Sequence, residues 1–260
     1  MNKIKYITSL PVLLALLTLS GTAQKPSSEV VPQSNPETLK AVNLPSAKEV
    51  VDKYVSAIGG REALTKHKSR KETGTIELSP MGLKGTLESY SRSDNRLLTK
   101  LNIAGIGEIV DGFDGTTAWT VNPVQGSRVK AGEELLQTKR NSMFAREANF
   151  DKIYDSLTVR GIDKVGDRDT YVVVASSKGL PDEILYFDTD NGLMLRSDSI
   201  VIAPEGKQAV NTFYEDYREV DGVKSPFKVR AKTPAFEINT AITEIKYGVD
   251  IEDSKFTQPK

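Results

Sequence analysis

Apolar and polar residues alternate along most of the chain. Leu97, Thr99, Leu101 and Ile103 interleave with Leu98, Lys100 and Asn102, a period of two that predicts a strand. Gly105 and Gly107 interrupt the pattern as at a bend or bulge, and Ile109-Val110 resumes it. Asp111-Gly112-Phe113-Asp114-Gly115 then predicts a tight hairpin turn at its Asp-Gly pairs, followed by a returning strand over 116–121 that carries Trp119. Further strands are predicted over 73–78, 83–90, 156–162, 170–175, 183–187, 193–202, 209–220, 223–231 and 236–247, roughly ten to twelve in all. Asn191-Gly192 and Asp221-Gly222 are the clearest hairpin signals.

Two stretches follow helical spacing instead. Ser46 and Glu49 fit a capping box, Val50, Tyr54 and Ile58 line one apolar face, and Gly59-Gly60 ends the helix. Residues 132–147, with Leu135, Leu136, Met143 and Phe144 and few β-branched residues, predict a second helix whose two apolar pairs share a broad face. Strand runs with helices outside a βαβ alternation predict an α+β, mainly β fold with an antiparallel sheet and helices on one face. An open twisted sheet rarely exceeds about ten strands, so this one must curl, and the helices are available to cover its concave face.

The N-terminus has another character. Lys3 and Lys5 precede an apolar run from Leu10 to Leu19, and Gly21-Thr22-Ala23 places small residues where a secretory signal is cleaved. The alternative, an uncleaved anchor, has a core short for a bilayer about 30 Å thick. No cysteine follows to take a lipid. Gln24 to Pro45 carries four prolines among Ser, Gln, Glu and Asn, too polar to bury a core. The expected organisation is a signal peptide over 1–23, a proline-rich linker over 24–44 and one folded domain over 45–260, periplasmic or secreted after cleavage.

Charge and composition mainly exclude. Lys plus Arg equals Asp plus Glu at 35 each, and loss of Lys3 and Lys5 leaves 33 basic residues against 35 acidic. No global charge draws the chain to nucleic acid. The absence of cysteine removes disulfides and thiolate chemistry, and a single histidine, His67, removes any multi-histidine metal centre. His67 stands in a basic run, 66–71, which reads as solvated. No nucleophile elbow, zinc-protease motif or phosphate loop occurs. Asp188-Thr189-Asp190-Asn191-Gly192 lacks the ligand spacing of a calcium loop and fits a hairpin. Glu215 and Asp216 are adjacent on a strand and point to opposite faces. No enzyme, cofactor or metal is expected. Phe113, Trp119, Leu135, Leu136, Met143, Phe144, Tyr186 and Tyr214 remain as candidates to line or cover a pocket, each also readable as plain core.

Several short motifs occur in a telling order. Ala57-Ile58-Gly59-Gly60 follows the first helix; Gly112-Phe113-Asp114-Gly115 precedes Ala118-Trp119; Leu185-Tyr186-Phe187-Asp188 precedes Gly192-Leu193. Tyr214-Glu215-Asp216-Tyr217-Arg218 then precedes Asp221-Gly222-Val223-Lys224-Ser225-Pro226, with Phe256 near the C-terminus. In this order they resemble the bacterial envelope proteins of the outer-membrane lipoprotein-sorting superfamily, the LolA/LolB-like proteins. The resemblance implies a curved antiparallel half-barrel closed by helices over a hydrophobic cavity, and a non-enzymatic monomer that binds lipid or acylated lipoprotein. Envelope membrane proteins and transient membrane contact are the partners it allows, and a protein-interaction or stress-sensing module on the same fold is its alternative. No counterpart of the carrier's cavity arginine is identified.

Overall fold

The computed structural model describes residues 43–259, so the signal segment and nearly all of the proline-rich linker lie outside the described residues. Ser46 caps α1 (Ala47–Ala57) as its spacing predicts: its hydroxyl accepts from the Glu49 N–H, and Glu49 Oε2 accepts from the Ser46 N–H at 2.8 Å. Gly59, at φ 119°, ends the helix and turns the chain into α2 (Gly60–Thr65).

Thirteen strands follow: β1 (Ser69–Ser79), β2 (Leu83–Arg92), β3 (Leu97–Ile103), β4 (Gly107–Phe113), β5 (Ala118–Asn122), β6 (Gly126–Val129), β7 (Ser156–Val165), β8 (Arg168–Ser176), β9 (Glu183–Asp188), β10 (Met194–Ala203), β11 (Gly206–Val220), β12 (Val223–Lys232) and β13 (Glu237–Tyr247). They form one antiparallel sheet in the order β6-β5-β4-β3-β2-β1-β13-β12-β11-β10-β9-β8-β7. Two meanders, β1–β6 and β7–β13, are thus joined by the pairing of β1 with β13. The edges are β6 and β7, which are consecutive in the chain. The segment between them must therefore travel from one edge of the sheet to the other. It carries α3 (Gly132–Asn141), a 3-10 turn (Arg146–Asn149) and α4 (Phe150–Ile153) over the concave side of the curved half-barrel.

Local differences from the sequence reading have physical causes. The interruption at Gly105 and Gly107 is the β3–β4 hairpin turn, with Gly107 opening β4. Asp111-Gly112 lies inside β4, and the turn comes at Asp114, whose carboxylate accepts from the N–H groups of Thr116 and Thr117. The 132–147 stretch is not one helix: α3 stops at Asn141, and Ala145 takes the left-handed conformation at φ 50°. The short β6 is an additional strand.

A third layer sits on the convex side. Leu98, Val110 and Trp119 face outward there and are covered by Ile251 and Phe256 of the C-terminal segment. Arg92 holds that segment through the Ile251 carbonyl at 3.0 Å and Asp253 at 2.6 Å.

Candidate functional site

Cross-strand partners share a face of the sheet, so the register sorts inward from outward side chains. Inward on β1 come Arg70, Glu72, Gly74, Ile76 and Leu78; on β12, Val223, Ser225, Phe227, Val229 and Ala231. Two apolar clusters divide the concave face. One packs Val50 and Tyr54 of α1, Ile58 at its C-cap, Leu64 of α2, and Phe144, Phe150 and Tyr154 of the crossing segment onto Val173, Leu185, Phe187 and Tyr214. It plugs the end where Lys224 N–H donates to the Ile58 carbonyl and Lys53 Nζ donates to the Thr189 carbonyl. The other cluster is Ile76, Leu78, Leu87, Leu101, Ile103, Ile109, Val201, Val210, Phe227, Ala231, Phe236, Ile238, Ile242 and Ile245. All of these are sheet and turn residues; among the described residues no helix adds a side chain to this buried cluster.

Helix α3 crosses between these regions with a polar face inward. Glu134, Gln137, Thr138 and Arg140 are buried, while Leu136 is 46% exposed. The reason lies in what they meet. Arg128 of β6 makes a bidentate pair with Glu134 at 2.7 and 2.8 Å. Strand β10 pairs with β9 only through Asp198, and beyond it Gln137 takes the place of a strand: its amide donates to the Ile200 carbonyl at 2.7 Å and accepts from the Ile202 N–H at 3.0 Å. The helix is a strap bolted to both arms of the half-barrel by hydrogen bonds, not an apolar lid.

Behind the strap lies a buried charged group. Glu183 accepts from Arg140 at 2.7 Å, from Arg146 at 2.5 Å and from the Tyr154 hydroxyl. Burial alone would raise the carboxyl's pKa; the two guanidiniums and the hydroxyl hold it below the usual range. Arg70 and Glu72 form a second buried pair, with the Arg70 guanidinium 5.8 Å from the Tyr247 ring centre. Glu147 lies beside them with no partner for Oε2, and burial pushes its pKa up to about 7 against the pull of Arg146 and Arg70. These groups escaped the sequence reading, which placed Arg70 in a solvated basic run; it is in fact buried. Extending the period-two pattern of β1 back from Leu78 and Ile76 through Gly74 would have turned Glu72 and Arg70 inward.

The eight pocket candidates divide. Phe113, Phe144 and Tyr214 are buried on the concave side, and half-buried Met143 packs against the helix-covered cluster. Leu135 is half-buried and Leu136 faces solvent, so the expected apolar face of a 132–147 helix does not exist. Trp119 and Tyr186 stand on the convex side. Trp119 pairs with Gly112, one residue out of phase with inward Phe113. Tyr186, between inward Leu185 and Phe187, donates to Asp198 at 3.0 Å with Arg196 over its ring. His67 stacks on Tyr247, its ring centre 5.4 Å away.

A void of about 20 Å³ beside Phe113 is lined by Leu97, Asp111, Gly112, Lys130, Thr138 and Asn141, next to the buried Lys130–Asp111 pair at 2.5 Å. It has room for one water and not for an acyl chain. Among the described residues no group of three or more His, Asp or Glu side chains could hold a metal ion. No helix among them is long and apolar enough to cross a membrane.

No family model and no curated protein matches the chain. Solved structures do. A LolA superfamily protein from Nitrosomonas europaea, 16% identical, superposes with a TM-score of 0.55 over 83% of this chain and 99% of its own. A DUF1329 family protein from Desulfovibrio piger, also 16% identical, gives 0.56 over 81% of this chain and 97% of its own. At that identity the likeness is one of fold, and the fold of this chain is LolA-like.

Proposed function

We propose that the chain is an exported, non-enzymatic protein that binds the acyl chains of lipids or lipoproteins on the concave side of its half-barrel. The observation that carries this reading is the second cluster: inward-facing side chains, mostly aliphatic, built from sheet and turns alone. Its chemistry is that of a methylene chain. An acyl chain entering there exchanges side-chain self-packing for ligand packing, and each buried methylene contributes about 0.8 kcal/mol. A dozen supply roughly 10 kcal/mol, against association costs of about 4 kcal/mol or more. The fold shared with the LolA superfamily protein from Nitrosomonas europaea supports the same reading, as does the signal-like apolar run over 10–19.

Native mass spectrometry of the chain purified from the envelope of a bacterial host, with solvent extraction, tests the proposal. The expected result is a chain beginning at Gln24 that carries co-purified lipid. A ligand-free chain that also fails to bind fluorescent fatty acids rejects it.

A further inference from the structure

In an antiparallel meander, successive turns lie at alternate ends of the sheet, and here the two ends differ in chemistry. One end holds the turns β2–β3, β4–β5, β7–β8, β9–β10 and β11–β12. Each carries an aspartate: Asp94, Asp114, Asp167, Asp190 and Asp221. The other end holds β1–β2, β3–β4, β5–β6, β10–β11 and β12–β13. Their exposed tips carry the apolar residues Pro80-Met81, Ala104, Pro123-Val124, Pro204 and Pro234-Ala235, with Gln125 and Glu205 as exposed polar neighbours in two of the turns. Met81 is 50% exposed and Val124 68%. The pairing of Ser79 with Glu237 sets the β1–β2 turn beside the β12–β13 turn. Gln125 Nε2 donates to Glu205 Oε1 at 2.8 Å, joining the β5–β6 and β10–β11 turns across the mouth. The five turns thus form a ring. The sixth connection at this end, β8–β9, is polar and lies toward the β7 edge.

We infer that this ring is a contact surface for a lipid bilayer, inserting its apolar tips among the headgroups. Four observations favour that occupant. The tips offer no exposed aromatic or arginine anchor of the kind that dominates protein interfaces. They form a shallow ring of separate apolar points rather than one groove. Several charges set back from them are paired, Glu77 with Lys84 at 3.5 Å, Glu133 with Lys207 at 2.7 Å and Glu134 with Arg128 at 2.7 Å, while the exposed Glu205 and Lys232 bring one charge of each sign. Attraction is therefore apolar rather than coulombic and should resist salt. Finally, Leu78, Leu83, Ile103, Ile106 and Phe236, at or beside these turns, belong to or pack on the aliphatic cluster, so a chain leaving the bilayer would meet apolar surface continuously. The purpose of the contact rests on the acyl-carrier reading; its evidence rests on the turns.

The chain has no cysteine, so single labels are specific. Val124→Cys and, at the aspartate end, Thr116→Cys are each labelled with an environment-sensitive dye and mixed with phosphatidylcholine–phosphatidylglycerol vesicles. The expected result is a blue shift and quenching by an acyl-chain quencher at 124 only, persisting at high salt. Adding Met81→Glu to Val124→Cys should lower partitioning about tenfold or more at unchanged Tm. A dye at 124 that stays in water, shifts as much at 116, loses its shift in salt, or shifts only with an envelope protein fraction overturns the inference. Native mass spectrometry on the same samples separates the two readings. Bound lipid with a dye at 124 that stays in water rejects the ring alone, whereas membrane insertion without bound ligand rejects the carrier alone.

Discussion

The indole of Trp119 fills the space in which a side chain on Gly112 would stand. The two are cross-strand partners on β4 and β5, and a Cβ at 112 would overlap the ring. Gly112 is therefore a packing requirement within a strand, not a turn residue, and Trp119 belongs to the convex layer closed by Ile251 and Phe256. Gly112→Ala should displace the indole and cost about 1–3 kcal/mol, read as a lower Tm and a changed Trp emission. Because Trp119 is the only tryptophan and faces away from the concave side, acyl-chain binding should leave wild-type Trp emission unchanged. A ligand-dependent shift would contradict this placement.

Phe144 is 6% exposed within the helix-covered cluster, and its N–H donates to Asn95 Oδ1 at 3.0 Å. It closes the core behind the strap and is not part of the aliphatic cluster. Phe144→Ala should cost about 3–5 kcal/mol, as large-to-small core changes do, with acyl-chain affinity retained in the folded fraction. Thermal denaturation and fatty-acid titration on one variant check both halves; weakened binding at unchanged stability would make Phe144 a ligand contact instead.

Glu147 gives the stability a pH dependence of defined sign. Its folded pKa, raised by burial to about 7, lies above its ordinary value of 4.5, so the folded state holds the proton longer. The favourable contribution is fully present below pH 4.5 and is lost as pH rises to about 7. Glu183, held low by Arg146 and Arg140, acts oppositely, favouring the fold above the ordinary carboxylate pKa and losing that as pH falls. Comparing Glu147→Gln with wild type isolates the first effect. The variant should gain about 2–4 kcal/mol relative to wild type at pH 8 over its difference at pH 4.5. Denaturant titrations at the two pH values measure it, and equal differences would remove Glu147 from the account.

Local pattern determined the strands other than β6, the capped first helix, its glycine stop and the hairpins at Asn191-Gly192 and Asp221-Gly222, because period, caps and turn chemistry act over a few residues. The curled antiparallel sheet followed from strand number and the lack of βαβ alternation. Tertiary structure decided the rest. Whether Trp119 and Tyr186 face inward depends on register and on which face meets which layer, and aromatic side chains suit either side of a sheet covered on both. Helix α3 buries Gln137 and Arg140 and exposes Leu136 because its neighbours are the unpaired backbone of β10 and the carboxylate of Glu183. Hydrophobic pattern alone ranks those residues the other way. A polar side chain is stable inside when its partner is already there, and in this chain those partners lie about 40 to 65 residues further along the sequence.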